Sequence, residues 1–291
     1  MILTGDVLEK LRELPDESVQ SCITSPPYWG LRDYGVAGQL GQEKTPEDYV
    51  AKMVQVFREV RRVLRKDATL WLNLGDSYAS GGNGGGTAKQ DSNRGMLALK
   101  GKAKKAPPGL KPKDLVGIPW MVAFALRADG WYLRQDLIWA KPNPMPESVT
   151  DRCTKSHEYI FLMSKCSRYY FDNEAIKEKS EVVWNSAKSS FHFDPATSGQ
   201  KKAQMVRDGF GIQGGIKHED VDRNTRNRRS VWTIATQPYS EAHFATFPEK
   251  FIEPMVLAGC PKGGTILDPF SGAGTTGVVC EKLGREFIGI E

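Results

Sequence analysis

The sequence has 291 residues, of which 40% are hydrophobic, and it carries a formal net charge of +5. This length and composition predict one large or two modest globular domains and exclude general disorder. No apolar run approaches about eighteen residues and no basic segment precedes an apolar run at the start, so neither a membrane span nor a secretory signal is predicted.

The first half of the chain predicts alternating strands and helices. Leu8, Leu11 and Leu14 are spaced for one face of a helix between a strand at 2–3 and a strand at 19–24. Thr45 precedes a proline and two acids, which is the pattern of a capped helix start. Further elements are predicted in the order strand 68–74, helix 118–128, strand 131–140 and strand 157–163, with residues 169–171 pairing back onto the last of these.

A basic segment interrupts this pattern between residues 81 and 113. It contains eight lysine or arginine residues against one aspartate, a local charge of +7 that exceeds the surplus of the whole chain. It is also longer than a typical connection, so either a function or disorder is expected. The charge favours a polyanionic partner, contacted by Lys102, Lys104 and Lys105, and a solvated flexible insert is the alternative.

The character of the sequence changes again from residue 172 to about residue 229. Apolar runs are short there, serine, asparagine, lysine and arginine are common, and the periodicity of helix or strand is faint. Four arginines, Arg223, Arg226, Arg228 and Arg229, lie close together near the end of this segment. A strand-like sequence resumes at 231–234, and a helix is predicted from Pro248 to Gly259.

The end of the chain predicts a nucleotide-binding unit. A buried strand at 264–267 leads into the turn Asp268-Pro-Phe-Ser-Gly-Ala-Gly-Thr-Thr-Gly277, which is followed by a helix at 278–283, a strand at 286–290 and Glu291. Gly272 and Gly274 let the backbone approach a ligand, and the helix start offers free N–H groups. Glu291 can accept hydrogen bonds from ribose hydroxyls. This order is typical of one half of a doubly wound sheet.

A second motif, Ser25-Pro-Pro-Tyr28, follows the strand at 19–24. Because ligands bind at the carboxyl ends of strands in an open α/β sheet, this motif and the turn at 268–277 are expected to converge. Together the two motifs resemble an amino-group DNA methyltransferase that uses S-adenosylmethionine. The catalytic motif precedes the cofactor turn, which resembles the circularly permuted beta group of that family.

The resemblance implies an α/β fold with a doubly wound, mostly parallel sheet of the S-adenosylmethionine methyltransferase type. The catalytic half would span residues 1–171, with a basic flexible loop at 80–114, and the cofactor-binding half would span 231–291. An inserted target-recognition region would occupy 172–230, although a loosely ordered insert is also compatible with its composition. The arginines that would read base edges and phosphates there are Arg223, Arg226, Arg228 and Arg229.

The resemblance also assigns a cofactor site for S-adenosylmethionine. Asp6, at the end of the first strand, is expected to bind the adenine, and a helix-capping role is equally compatible with its position. Phe247 lies in a segment that resembles the one with which members of the family cover the methionine end of the cofactor. The other expected contacts come from the turn and the last strand, and they are Asp268, Pro269, Phe270, Ser271, Gly272, Gly274, Thr275, Thr276 and Glu291.

The catalytic motif suits the chemistry of an exocyclic amine, which is a poor nucleophile because its lone pair is delocalised. The enzyme's work is therefore alignment and electrostatics. The Ser25 hydroxyl and the Pro26 carbonyl are expected to accept the two N–H bonds and to aim the lone pair at the methyl carbon. Pro26 and Pro27 restrict the backbone, while Tyr28 and Trp29 offer a stacking face for a base flipped out of duplex DNA.

The target base and the substrate class are only partly constrained. In the family, serine at the first position of the motif tends to accompany cytosine N4 methylation and aspartate adenine N6, so Ser25 favours cytosine and leaves adenine as the alternative. An RNA or protein-amide methyltransferase of the same fold, or a non-catalytic nucleic-acid-binding module, is less favoured. The implied partners are double-stranded DNA and, as a candidate, a restriction endonuclease, and the oligomeric state stays open.

Two other features of the sequence concern the cellular compartment and the end of the chain. The five cysteines are scattered without a Cys-x-x-Cys motif, so neither zinc nor a disulfide framework is predicted, and a reducing cytoplasm is expected. Relatives would be expected to continue into a helix after Glu291. The first strand is still expected to lie beside the last. Without the connecting helix, one face of the sheet there would be covered by a partner or left open by a shortened chain.

Overall fold

The computed structural model describes residues 1–31, 35, 38–79, 106–180, 225–237 and 247–291. The chain divides into two compact units, one made of Met1–Ala175 and Arg229–Glu291 and the other of Ile176–Arg228. None of the described helices is both long and apolar enough to cross a membrane.

The described strands and helices come from both units. The strands are β1 (Ile2–Leu3), β2 (Val19–Thr24), β3 (Leu64–Leu74), β4 (Tyr132–Ala140), β5 (His157–Ser164), β6 (Glu178–Lys179), β7 (Thr225–Arg226), β8 (Val231–Thr233), β9 (Thr265–Asp268) and β10 (Glu286–Ile290). The helices are α1 (Val7–Glu13), α2 (Pro46–Val63), α3 (Ile118–Ala128), α4 (Glu249–Gly259) and α5 (Thr275–Lys282), with a short 3-10 helix at Glu174–Ile176.

An eight-stranded sheet organises the first unit. Among the described strands its order is β1-β10-β9-β2-β3-β5-β4-β8, and every neighbouring pair is parallel except the two pairs made by β5. This confirms the predicted α/β fold with a mostly parallel sheet. The first strand lies beside the last as expected, because Ile2 and Leu3 pair with Gly289 and Ile290.

Helix α2 begins where the sequence predicts and covers the sheet with one apolar face. The Thr45 hydroxyl accepts a hydrogen bond from the Asp48 N–H at 3.1 Å, which satisfies one of the free donors at the helix start. Met53, Phe57 and Val60 are fully buried in the same core as apolar side chains of β2 and β3. The 3.6-residue periodicity of this segment therefore corresponds to a real buried stripe.

Strand β2 connects the two ends of the chain. It pairs with β3 on one side and with β9 on the other, where Ser21 and Cys22 lie opposite Ile266 and Leu267. All three strands are parallel, so their carboxyl ends lie at one edge of the sheet. The segment after β2 and the turn after β9 are therefore neighbours, although they are far apart in the sequence.

The prediction that residues 169–171 pair with β5 is wrong. Strand β5 has β3 along one edge and β4 along the other, so neither edge is available. The Tyr170 N–H instead donates to the carbonyl oxygen of Asp67 at 2.8 Å, and the Phe171 ring stacks on Trp71 with centroids 6.1 Å apart. The aromatic side chains of this segment cover the sheet rather than extend it.

The second unit contains the short antiparallel pair of β6 and β7. Glu178 lies opposite Arg226 in this pair, and Arg226 Nε donates to Glu178 Oε1 at 2.8 Å. Residues 181–224, which include Arg223, lie outside the described residues. The assignment of this region to target recognition stays a prediction.

The burial of α2 generates a stability prediction. Phe57→Ala should lower the free energy of unfolding by about 3–5 kcal/mol, because a fully buried aromatic side chain is replaced by a cavity. Gln55→Ala, on the exposed face of the same helix, should change it by less than about 0.5 kcal/mol. Urea unfolding followed by circular dichroism measures both, and equal effects of the two substitutions would contradict the assigned core face.

Candidate active site

All eight strands of the sheet have one end at the same edge. Seven parallel strands end there, whereas β5, which runs in the opposite direction, begins there. Ser25 follows β2, Gly75 follows β3, Lys141 follows β4 and the turn at Asp268 ends β9, while Glu158 stands at the start of β5. This edge is the position expected for a ligand site in an open α/β sheet.

A buried hydrogen bond joins the segment before Ser25 to the glycine turn. Thr24 Oγ1 donates to Asp268 Oδ1 at 2.7 Å, and Asp268 also accepts from Thr276 Oγ1 at 2.8 Å and from the Phe270 N–H at 3.2 Å. Asp268 is only 2% exposed, and burial raises its pKa from 3.8 to about 6, although the three hydrogen bonds oppose this shift. The Asp268 carboxylate therefore fastens the start of the turn to β2.

The glycine turn has the open backbone that a bound nucleotide group requires. Gly272 and Gly274 have φ values of 50° and 75°, and a β-carbon at either position would meet nothing within 4 Å. The Gly272 N–H donates to Glu291 Oε2 at 2.7 Å, which ties the turn to the end of β10. Thr275 then begins α5 with its unpaired N–H groups. These features fit S-adenosylmethionine, which Gly272, Gly274 and Glu291 would hold.

The other residues of the predicted cofactor set occupy different surroundings. Asp6 caps α1, since its Oδ1 accepts from the N–H groups of Leu8 and Glu9 at 3.0 and 3.1 Å. Phe247 lies in an aromatic cluster, with its ring centroid 5.1 Å from that of Phe251 in α4. Pro269 and Ser271 are buried within the turn, and the Ser271 hydroxyl makes no hydrogen bond within the described residues. Their contacts with the cofactor stay predictions.

The predicted catalytic motif, Ser25 to Tyr28, is held in place by its neighbours. Tyr49 in α2 donates its hydroxyl to the Pro27 carbonyl oxygen at 2.9 Å, and Trp29 Nε1 donates to the carbonyl oxygen of Glu43 at 3.0 Å. Pro26 is buried, and Ser25 is partly buried. The Tyr28 ring lies directly against Gly75, because a β-carbon on that glycine would come within 2.5 Å of Tyr28 Cε2. Only glycine at this position leaves room for the ring.

A chain of hydrogen bonds leads from Ser25 to residues that the sequence analysis did not identify. Ser25 Oγ donates to Tyr28 Oη at 3.2 Å, and Tyr28 Oη donates to Glu158 Oε2 at 2.9 Å. Asn73 Nδ2 donates to both of these oxygens, at 2.6 and 2.9 Å, and Lys141 pairs with Glu158 Oε1. Burial, reinforced by the negative charge of Glu158, raises the pKa of Tyr28 well above its usual value. The phenol is therefore neutral and able to donate.

The signals for these three residues were present but incomplete. Asn73 is a polar residue in the apolar strand β3, Glu158 lies in the predicted strand at 157–163, and Lys141 directly follows the predicted strand at 131–140. Sequence periodicity does not show that β5 lies between β3 and β4 and runs against them. Without that arrangement, nothing in the sequence brings Asn73, Lys141 and Glu158 together.

The segment that follows β3 holds helix α3 in place. Asp76 Oδ1 accepts from the N–H groups of Gly117 and Ile118 at 2.9 and 3.1 Å and so satisfies the start of α3. Lys155 Nζ donates to the Asp76 carbonyl oxygen at 3.3 Å, and burial lowers the pKa of Lys155. Asp76 thus has a structural role at the same edge of the sheet.

The predicted DNA-binding residues are only partly described. Lys102, Lys104, Lys105 and Arg223 lie outside the described residues. Arg226 pairs with Glu178, Arg228 lies in the same unit, and the backbone of Arg229 accepts a hydrogen bond from Trp232 Nε1 at 2.8 Å. Their contacts with DNA stay predictions. Among the described residues, no group of three histidine, cysteine, aspartate or glutamate side chains could hold a metal ion.

Comparison with known proteins assigns the chain to a family. The family model N6_N4_Mtase, described as DNA methylase, matches residues 19–291, and the chain belongs to this family. It is a DNA methyltransferase of the group that modifies the amino nitrogen of cytosine or adenine.

Two relatives that match this chain over 290 residues are named type II methyltransferases. It is 48% identical over 290 residues to the type II methyltransferase M.SmaI of Serratia marcescens, covering 100% of this chain and 85% of that protein. It is 43% identical to the type II methyltransferase M.Cfr9I of Citrobacter freundii, covering 100% of this chain and 82% of that protein.

Solved structures share the fold at low sequence identity. The PvuII DNA methyltransferase, titled cytosine-N4-specific, matches with a TM-score of 0.63 and 18% identity over 100% of this chain and 80% of that one. A protein from Thermus thermophilus titled a putative DNA modification methylase, solved with S-adenosyl-L-methionine, matches with a TM-score of 0.57 and 21% identity over 100% and 86% of the two chains.

The raised pKa of Asp268 generates a prediction about pH. The folded protein binds the proton of the Asp268 carboxyl group more tightly than the unfolded chain does. The stabilisation of the folded state by this proton is therefore complete below pH 3.8 and is lost as the pH rises through about 6. This group should lower the free energy of unfolding by up to roughly 3 kcal/mol between about pH 4 and about pH 7. Asp268→Asn should flatten that slope, because the amide does not ionise.

The measurement is urea unfolding at a series of pH values for the wild type and the variant. Glu281→Gln, which removes an exposed carboxylate from α5, serves as the control and should keep the wild-type slope. A wild-type slope in Asp268→Asn would contradict the burial of an ionisable carboxylate at this position.

Proposed function

We propose that this protein transfers a methyl group from S-adenosylmethionine to N4 of a cytosine flipped out of double-stranded DNA. The hydrogen bond between Thr24 and Asp268 carries the proposal, because it fastens the segment that leads to Ser25 to the glycine turn. An acceptor for the target amine and an open backbone for the cofactor thus lie on neighbouring strand ends. This arrangement supports direct transfer within one pocket.

In this mechanism the cofactor supplies an electrophilic methyl group on a sulfonium sulfur. The backbone of Gly272 and Gly274 would hold the cofactor, and Glu291 would accept hydrogen bonds from its ribose hydroxyls. The Ser25 hydroxyl and the Pro26 carbonyl accept the two N–H bonds of the target amine. Those bonds hold the amine so that its lone pair faces the methyl carbon, which is catalysis by alignment and electrostatics.

The carbonyl groups of the motif have different tasks in this proposal. The Pro27 carbonyl already accepts the Tyr49 hydroxyl, so it serves to hold the motif in place. Pro26 is the neighbouring residue whose carbonyl is proposed for the amine. The Tyr28 ring rests on Gly75, and in this proposal Tyr28 and Trp29 stack against the flipped base.

The preference for cytosine rests on Ser25. A neutral hydroxyl stands where members of the family that modify adenine tend to have a carboxylate, and this supports cytosine N4 over adenine N6. The structural match titled cytosine-N4-specific agrees in fold, but at 18% identity it does not identify the base. Adenine N6 methylation is the alternative, and an RNA or protein-amide substrate is less favoured.

We also propose that two segments outside the catalytic motif contact the DNA. Lys102, Lys104 and Lys105 in the basic segment would bind phosphates, and the region at 172–230 would read the target sequence through its arginines. The resemblance to enzymes named type II methyltransferases supports a place in a restriction-modification system, with a restriction endonuclease that cleaves the same sequence as the candidate partner.

The role of Ser25 is tested by Ser25→Ala. Turnover should fall by at least about 100-fold, because one acceptor for the amine is lost, whereas the Kd for S-adenosylmethionine should stay within about twofold. Methyl incorporation into DNA and calorimetric titration measure the two quantities. Ser167→Ala, an exposed serine beyond the opposite end of β5, is the control. Wild-type turnover in Ser25→Ala would remove the serine from the mechanism.

The choice of base is tested on the product. DNA treated with the enzyme and S-adenosylmethionine should release N4-methyl-2′-deoxycytidine when it is digested to nucleosides, and mass spectrometry detects this product. Release of N6-methyl-2′-deoxyadenosine instead would establish the alternative base. A sample without cofactor is the control, and methylation of RNA but not of DNA would contradict the proposed substrate.

A further inference from the structure

The hydrogen bonds around Tyr28 have a direction that follows from their donors and acceptors. Glu158 as a carboxylate can only accept, and Lys141, which pairs with its other oxygen, can only donate. The Tyr28 hydroxyl lies 2.9 Å from Glu158 Oε2, so its single hydrogen is donated to the carboxylate. The Tyr28 oxygen can therefore only accept any further hydrogen bonds.

Asn73 reinforces this direction. Its amide lies 2.6 Å from Tyr28 Oη and 2.9 Å from Glu158 Oε2. If the amide were reversed, its carbonyl oxygen would face a carboxylate oxygen, and two acceptors would oppose each other in a buried setting. The NH2 group therefore points at both oxygens, and the tyrosine oxygen receives a donor from Asn73 as well.

Ser25 lies at the end of this chain, 3.2 Å from Tyr28 Oη. Since the tyrosine hydrogen is committed to Glu158, only the serine hydrogen can occupy the Ser25–Tyr28 contact. The Ser25 oxygen is then left with its lone pairs directed away from Tyr28. A serine that is free to rotate lacks this constraint, because a hydroxyl can both donate and accept.

We propose that Glu158 is a positioning residue for methyl transfer, which acts through Tyr28 to make Ser25 an acceptor and not a donor. The inference rests on the proposed role of Ser25 toward the target amine. A serine hydrogen directed at the amine nitrogen would bind the lone pair that has to attack the methyl carbon. A serine that only accepts takes an N–H hydrogen instead and leaves that lone pair available.

The inference explains how a serine can stand where a carboxylate would accept without any help. An ionised aspartate has no hydrogen and can only accept, whereas the direction of a serine hydroxyl hydrogen is set by the groups around it. Two positive charges from different elements face Glu158: Lys141 pairs with it directly and Lys155 lies near it. Both come from the edge of the sheet that holds the catalytic motif.

Glu158→Gln tests the direction of the chain while it preserves the shape of the side chain. Lys141 only donates, so the glutamine would keep its carbonyl toward the lysine and turn its NH2 group toward Tyr28. The tyrosine hydrogen is then free to point at Ser25. The single-turnover methylation rate should fall on the order of tenfold or more, with the Kd for S-adenosylmethionine and the affinity for DNA unchanged.

The second measurement is a double-mutant cycle with Tyr28→Phe, which removes the hydroxyl through which Glu158 acts. Tyr28→Phe alone should slow the reaction to a similar extent, and adding Glu158→Gln to it should cause no further loss. Equal slowing by Glu158→Gln in both backgrounds would overturn the inference, because the carboxylate would then act without Tyr28. Wild-type rates in Glu158→Gln would overturn it directly.

Two controls separate other causes of a slow reaction. Glu249→Gln removes a lysine-paired carboxylate at the start of α4 and should keep the wild-type rate. Ser25→Ala in the same assay separates the two proposals: if it is inactive while Glu158→Gln is normal, only the inference about Glu158 fails. If Ser25→Ala is fully active, the proposed role of Ser25 fails with it. Should Glu158→Gln not fold, a wild-type rate in Tyr28→Phe overturns the inference by itself.

Discussion

The hydrogen bond from Thr24 to Asp268 is the interaction on which the rest of the site depends. It is buried, it joins residues near opposite ends of the chain, and it lies where two parallel strands end side by side. Because β2 and β9 are neighbours, the proline-rich motif and the glycine turn face the same space. Without this adjacency the two motifs would remain separate turns on one sheet.

On the other side of β2, the order of the strands explains why the motif at Ser25 to Tyr28 contacts a network of polar side chains. Strand β5 runs against its neighbours, so its first residues lie beside the ends of β3 and β4. Glu158 therefore meets Asn73 and Lys141, and Glu158 and Asn73 both contact the Tyr28 hydroxyl. One reversal of strand direction thus supplies a carboxylate, an amide and a cation to the catalytic motif, and none of them is close to it in the sequence.

Much of this fold could be predicted because the local signals were strong. The cap at Thr45, the strand at 19–24 and the strand, turn and helix around Gly272 all agree with the structure. The network around Glu158 could not, since it depends on strand order. The pairing assigned to residues 169–171 was wrong for the same reason, because β5 already had two neighbours. Asp6 caps a helix, the alternative that the sequence left open, and a short acidic side chain after a strand suits both roles.

The most direct test of the account is a crystal structure of the protein with duplex DNA and S-adenosylhomocysteine. We expect a flipped base whose amino nitrogen lies about 3 Å from Ser25 Oγ, with the cofactor sulfur above the same edge of the sheet and the ribose near Glu291. A base bound away from Ser25, or a cofactor bound anywhere other than the turn at Gly272, would contradict it.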